Sequence, residues 1–345
     1  MSDVAQAAGV SPITVSRSLR ENSPVARDTR EHVLRVVKDL GYVPDQLASG
    51  LASQRSGVIA TMVPSLNNPH FADTVGALST AVAPAGLQVL IAHTEYDDAK
   101  ERQLLEMMLR RRPEAVVLTY DGHDKSTLQL IENADVPTIQ IWETPAKPLG
   151  HVVGFSNVDA AAALAQRLID QGYTRFCLLG EAADRNTRGA ARRSGFRRAL
   201  KRAGLDDSRI VRFTRPPITM QQGARALPEI LDRWPDTEVV LCVSDPCAFG
   251  VQAEAQRLGI DVPQQLAVAG FGDFDVSRVS VPDLTTVAVD ASAIGRLTGE
   301  LILELREAQA RGATLEPQTV LVPASPILRG STSTRRRARG KRGER

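Results

Sequence analysis

The residues able to do chemistry fall in two groups, and both are suited to binding rather than bond-breaking. The first lies in residues 3–20, DVAQAAGVSPITVSRSLR. Ser11 and Pro12 open a helix there, the hydroxyl as N-cap and the proline at the first helical position, where its missing N–H is no loss. Val15 and Leu19 recur at helical spacing, which turns Thr14, Ser16 and Arg17 outward. The second group follows short apolar runs that read as strands. After the first such run come Ser65, Asn67, Asn68 and Phe71; after the fourth, Trp142 and Glu143. After RFCLLG come Arg185, Arg188 and Arg192, after VVLCVS come Ser244 and Asp245, and AGFGDFD supplies Asp273. Ligands of open α/β sheets bind beyond the carboxyl ends of strands and close to helix N-termini, so these are candidate small-molecule contacts.

No catalytic constellation is present. The five histidines (His32, His70, His93, His123, His151) form no HExxH, and neither GxSxG nor a P-loop occurs. His70 and His93 could line a cleft, although a structural or surface role is the simpler reading. Cys177, Cys242 and Cys247 form no CxxC and have no histidine at ligand spacing, so buried free thiols are expected, with no metal and no cofactor.

Three sections must position these groups. Residues 1–43 show three short helical segments. Gly9 suits the left-handed turn after the first helix, Val10 fills the corner, and Val4, Ala5, Val15 and Leu19 complete an apolar wedge. A third helix, TREHVLRVVKDLGY, brings Val33, Val36, Val37 and Leu40 behind it, while small Ala5 and Ala8 allow the close approach of a helix-turn-helix. Residues 44–56, PDQLASGLASQRS, read as a connector with weak helical character. From residue 57 to 330, apolar runs alternate with amphipathic stretches, which means βαβ units. More than eight such strands favour two lobes, each a doubly wound parallel sheet, dividing near 150–160 with a second crossing near 275–290. Residues 331–345 should form a disordered basic tail.

At 345 residues, 43% of them hydrophobic and 24% charged, the composition is that of a globular protein of two or three units. The net charge of +2 is unevenly spread. Residues 1–55 hold seven Lys or Arg against six Asp or Glu, and residues 331–345 hold seven against one, which leaves the body near −5. Charge therefore makes no case for nucleic acid, and the motif must. The opening MSDVAQAAGVSP has no basic-then-apolar leader pattern and no run of 18 apolar residues occurs, so a cytoplasmic location without a membrane partner is expected.

DVAxxAGVSxxTVSRxL, followed by TRExVxxxxxxLGYxP and LAxxL, resembles the head of the lactose/galactose repressor family of bacterial transcription regulators, and the similarity extends over essentially the whole chain. The resemblance implies a ligand-responsive DNA-binding regulator. Its all-α helix-turn-helix head would serve a two-lobed domain like the periplasmic sugar-binding proteins, and two copies would pair as a homodimer on a palindromic operator. It puts the helix opened by Ser11 in the major groove, with Pro12, Ile13 and Arg17 at base-reading positions and Arg17 suited to a bidentate contact with guanine. Thr14 and Ser16 take phosphate-contact positions, as do Arg20, Thr29 and Tyr42. Leu47, Ala48 and Leu51 would form a hinge helix in the minor groove, Leu51 wedging between base pairs; a plain flexible linker is the alternative. Asp45 stands where relatives often carry Asn. The leucine heptad that makes tetramers in some relatives is missing after Leu328, so a dimer is expected.

In the family an arginine three residues before Gly-aromatic holds ligand, and Arg192 matches it ahead of Gly195-Phe196. The usual Asn-Asp pair is Ser244-Asp245 here. Relatives commonly place an acid after Gly-Phe to hold neutral sugar hydroxyls, and this chain has Gly272. Keeping Arg188 and Arg192 without that carboxylate favours an anionic ligand. The strings PSLNNPHF, LIAHTEY, VGFSN and AGFGDFD resemble the gluconate-utilisation branch, which implies gluconate or a ketogluconate as effector. A neutral sugar or purine effector stays open. The rival classes are a sugar-transport module and a Rossmann-type enzyme, the latter disfavoured because no GxGxxG follows the first strand.

Overall fold

A computed structural model describes residues 1–19, 24–42, 56–119, 122–181, 187–213 and 216–333. The chain divides into two compact units, Met1–Ser56 and Gly57–Arg345. In the first, α1 (Ser2–Ala7), α2 (Pro12–Ser18) and α3 (Arg27–Asp39) enclose a core of Val4, Ala5, Ala8, Val15 and Val33, with Val10, Leu19, Val36, Val37 and Tyr42 packed against it. Gly9, at φ +63°, makes the turn between α1 and α2 that a residue with a Cβ rarely accepts. The Ser11 hydroxyl accepts the Thr14 N–H at 3.1 Å, closing the first turn of α2. The far end of α2 is held by the Arg30 Nε, which donates to the Ser18 carbonyl at 3.1 Å. One core expectation fails: Leu40 is 52% exposed. It caps α3 rather than extending it, and the chain turns there so that Tyr42 reaches the core instead.

In the second unit one parallel sheet contains β1 (Val58–Val63), β2 (Gln88–His93), β3 (Ala115–Thr119), β4 (Thr138–Ile141) and β5 (His151–Gly154), joined at its edge by β11 (Thr319–Leu321), in the order β11-β5-β4-β3-β1-β2. The other contains β6 (Phe176–Glu181), β7 (Ile210–Phe213), β8 (Val239–Cys242) and β9 (Ala267–Ala269), in the order β7-β6-β8-β9. Strands such as β3, AVVLT, are apolar on both faces because helices cover both sides of the sheet. β10 (Thr286–Val289) and β12 (Ala324–Ile327) form a separate antiparallel pair.

The chain passes between the lobes three times. β5 leads into the helix Asn157–Asp170 of the second lobe, β10 leads back to the helix Ala291–Ala310, which packs on the first-lobe helix Pro69–Val82, and β11 leads out again to β12. The third passage, and the strands β7, β10, β11 and β12, have no counterpart among the apolar runs of the sequence. Ser331 and Thr332 also differ from the expected disordered tail: both are fully buried. The Ser331 hydroxyl donates to the Val268 carbonyl at 2.6 Å and accepts the Thr285 N–H at 2.8 Å, so it satisfies two backbone groups of the second lobe, and the Thr332 hydroxyl lies 2.6 Å from that of Thr285.

Candidate functional site

Both sheets reverse their winding beside their first strand, between β1 and β3 and between β6 and β8, and the crevice outside such a switch point is where doubly wound folds bind ligands. A cleft of about 1340 Å³ lies there, walled by both lobes. Ser65, Asn67, Asn68, Phe71, Trp142, Arg188, Arg192, Ser244 and Asp273 all border it. Asn68 also caps the helix Pro69–Val82, its side chain accepting the His70 N–H at 3.0 Å, and the Ser65 hydroxyl accepts the Asn67 N–H at 3.1 Å. Arg185 lies outside the described residues.

Arg188 and Arg192 come from successive turns of the helix Arg188–Arg202, whose N-cap Thr187 accepts the Ala190 N–H at 3.1 Å. The Arg188 guanidinium sits 4.8 Å above the Phe71 ring. That of Arg192 sits 3.9 Å above Phe271. Arg192 Nε donates to the Asn157 side-chain oxygen at 2.8 Å and Nη1 to the Val243 carbonyl at 2.7 Å. Two of its three nitrogens are thus committed to acceptors of the second lobe, which fixes the plane of the guanidinium and leaves the Nη2 edge for a ligand. Burial, and next Arg188, lower its pKa to about 10, so it stays charged at neutral pH. Asn157 also donates from Nδ2 to the Trp142 carbonyl at 2.8 Å, tying the end of β4 to the arginine. Trp142 is 2% exposed and holds φ +72°, an uncommon conformation for a bulky residue that tertiary contacts must impose.

Three acids expected at the ligand serve the protein instead. Glu143 does not border the cleft; its Oε1 accepts the Thr144 N–H at 2.9 Å and the Asn157 N–H at 3.3 Å, capping backbone at the lobe crossing. Asp245 is fully buried behind the wall, accepting the Thr286 hydroxyl at 2.6 Å and the Phe274 N–H at 2.9 Å. Asp273 borders the cleft, but Arg329 at 2.5 Å and Arg278 at 2.7 Å neutralise its carboxylate. Burial would raise the Asp273 pKa; the hydrogen bonds from Arg278 and Arg329 outweigh it and hold it below the ordinary value. Sequence reasoning missed Asn157, Phe271 and Phe274, although Asn157 stands directly after the Ser156 cap in the HVVGFSN stretch where a lobe crossing is expected. His70 and His93, for which a structural or surface role is the simpler expectation, both line the cleft.

Asp245 makes a pH prediction. Burial raises its pKa from 3.8 to about 6. Its protonated form is favoured by folding, so the stability it contributes is complete below pH 3.8 and is lost as pH rises through about 6. Relative to Asp245→Asn, the wild-type effector unit should gain of order 3 kcal/mol between about pH 7 and pH 4. Urea unfolding of both proteins across that range checks it, and parallel stability curves would refute it.

In the head, Ser11, Pro12, Ile13 and Arg17 are exposed, Thr14 and Ser16 are half-buried, and Val15 and Ser18 are buried. Ile13 is 65% exposed, which sets an apolar side chain beside a guanidinium on one free helix face. The Thr14 and Ser11 hydroxyls lie 2.9 Å apart. Thr29, in the first turn of α3, and Tyr42 are half-buried, Tyr42 against the core. Arg20, Leu47, Ala48 and Leu51 lie outside the described residues. None of the helices among the described residues is long and apolar enough to cross a membrane, and no group of three potential metal ligands occurs among them.

A helix-turn-helix head carried by the same chain as a two-lobed ligand-binding domain defines the class of ligand-responsive DNA-binding regulators. Residues 1–45 match the family model for bacterial regulatory proteins of the lacI family, and residues 165–332 match the periplasmic binding protein-like domain. The chain is 35% identical to the HTH-type transcriptional regulator GntR of Pseudomonas aeruginosa, over 88% of each protein. It is 44% identical to a LacI family transcriptional regulator from Silicibacter pomeroyi, a crystal structure matched over 79% of this chain and 98% of that one with a TM-score of 0.76. The crystal structure of transcription regulator GntR from Chromobacterium violaceum is 31% identical over 80% of this chain and 99% of its own, with a TM-score of 0.72. The protein belongs to the lacI family of bacterial transcription regulators, which are DNA-binding proteins and not enzymes.

Proposed function

We propose that this chain is a cytoplasmic repressor that grips a palindromic operator as a homodimer and is released when a sugar acid, gluconate or a ketogluconate, fills the cleft. The observation that carries the effector class is Arg192, charged, held rigid by Asn157 and Val243, and offering one free edge to the cleft beside Arg188. Most acids of the cleft are paired, set behind its wall or screened at its rim. Asp273 is paired with two arginines, Asp245 lies behind the wall, and Asp73, Glu95, Asp275 and Asp290 stand exposed at the rim, where water screens them; Glu181, half-buried in the wall, accepts the Thr187 hydroxyl at 3.1 Å. The strings PSLNNPHF and AGFGDFD, which resemble the gluconate-utilisation branch, support the same class.

Closing the lobes on a ligand would rotate one against the other and change how two copies present their heads. The linkage is bounded by the ligand's preference for one state, about 1–3 kcal/mol for a typical pair of coupled sites. One observation favours a second reading: Phe71, Trp142 and Phe274 all border the cleft, and an aromatic lining also suits a planar purine.

Calorimetry with gluconate, 2-ketogluconate, ribose and purines, paired with mobility shifts on operator duplexes, separates the readings. Heat with a sugar acid and loss of the shifted band at the same ligand concentration are expected. Heat with purines alone would replace the effector class. A protein without preference for any duplex would end the repressor reading.

A further inference from the structure

The ring of His70 stands in the cleft wall, its centroid 4.1 Å from that of Phe274 and 5.6 Å from that of Trp142. Its Nε2 is buried against the Gly272 backbone without a hydrogen bond of good geometry. Only glycine permits this arrangement. A Cβ at 272 would come within 3.0 Å of that nitrogen and collide with the Phe274 ring, and the backbone there holds φ +131°. The bare backbone at Gly272 therefore accommodates an imidazole packed against an aromatic ring.

The charged groups around the ring are Asp73 on its own helix, Arg188, Arg192 and Glu181 across the cleft, Asp273, Asp275 and Arg278 on the segment after Gly272, and Glu143 behind Trp142. Asp273 and Arg278 are paired, Glu143 caps backbone, and Asp73 and Asp275 are exposed. Burial lowers the His70 pKa below 6.5; Arg192 lowers it as well, while the Gly272 backbone, Asp73 and Asp273 work in the opposite direction. Before ligand arrives the ring is therefore neutral at physiological pH. A carboxylate seated on Arg192 would cancel the cationic field and add an anion close to the ring.

We propose that His70 is a further donor of the effector's carboxylate site and takes up one proton from solvent as a sugar acid binds between it and Arg192. The proton goes to the ring nitrogen that does not face Gly272. This inference rests on the sugar-acid reading of the cleft. Binding raises the proton affinity of the ring, so affinity for the anion rises as pH falls, with a limiting slope of about tenfold per pH unit across the range between the ring's free and bound titrations. A sugar acid is fully ionised over that range, so the dependence belongs to the protein. His70 also becomes a discriminating residue, since a neutral sugar gives the ring no reason to charge.

Calorimetry of the full chain with gluconate and 2-ketogluconate, in phosphate and in Tris at about pH 7, counts the protons taken up from the difference in apparent enthalpy. Between about half and one proton is expected for the wild type and none for His70→Gln, whose affinity should be about tenfold weaker and flat with pH. Asp245 also titrates in the acidic range, with a pKa of about 6, and the variant separates its contribution. Equal proton uptake by wild type and variant, or none by the wild type, overturns the role of His70 while leaving the sugar-acid reading intact. No heat with either sugar acid in any buffer overturns both. Should His70→Gln fail to fold, the histidine ring resonances of the wild type, titrated free and with gluconate, must show one ring whose pKa rises on binding; unchanged titration refutes the proposal.

Discussion

Replacing Arg192 with alanine is expected to weaken sugar-acid binding by at least about a hundredfold while leaving ligand-free operator affinity unchanged. A charge-assisted hydrogen bond contributes about 1.5–3 kcal/mol, and stranding a buried carboxylate without its partner costs about 3–5 kcal/mol. At about 1.4 kcal/mol per factor of ten, the cost of the stranded carboxylate alone exceeds a hundredfold. The guanidinium is already fixed by Asn157 and Val243 and stacked on Phe271, so the ligand need not order it, which enlarges the expected loss. Arg192→Lys should lie between: the charge survives, but one ammonium cannot reach Asn157, Val243 and the ligand together. The alanine variant also strands the Asn157 oxygen and the Val243 carbonyl, at about 1–3 kcal/mol of effector-unit stability, so melting must be followed beside binding. Calorimetry at matched folded fractions is the measurement, and an unchanged dissociation constant would move the anion site elsewhere.

Arg17→Ala should produce the largest loss on the DNA side. Arg17 is exposed on α2 next to Ile13, while Val15 on the opposite face is fully buried, so alanine removes a contact group without touching the core of the head. A bidentate arginine–guanine pair discriminates by about 1–3 kcal/mol, and a two-fold dimer makes it twice, for a loss of about 30-fold to 10⁴-fold on the best operator. Preference for guanine should relax at one position in each half-site, whereas the salt slope should hardly change, because no phosphate contact is lost. Gluconate affinity should be untouched, since the effector unit keeps its own core. Fluorescence anisotropy with operator duplexes substituted at single positions tests all three. A uniform loss on every duplex, with a shallower salt slope, would reassign Arg17 to phosphate.

The head was legible almost residue by residue. Its signals act within one or two turns: the Ser11 hydroxyl on Thr14, proline at the first helical position, Gly9 with positive φ, and Val4, Val15 and Val33 at helical spacing. Leu40 is the exception, because spacing says which face a residue would occupy but not that the helix stops at Asp39. In the effector unit the long buried strands announced themselves, since parallel strands covered on both faces are apolar throughout. β7 and β11 are short, partly exposed edges, and β10 and β12 are four-residue strands at the lobe crossings, too short for an apolar run to stand out.

The amino-acid pattern alone was enough to place the head, the two lobes and the band of loops in which a ligand must sit, because helix caps, residue periodicity and the carboxyl ends of parallel strands depend on neighbours in the chain or on general topology. It could not say which polar groups in that band are spoken for. Asp273 and Arg329 are brought together by the third lobe crossing, Asp245 and Thr286 by the second, and His70, Trp142 and Phe274 meet from three separated segments. Whether a carboxylate meets a ligand, an arginine or a backbone N–H is set by distances between residues far apart in the chain. Packing fixed those distances, and with them the difference between the acids that hold the cleft together and the arginine that faces into it.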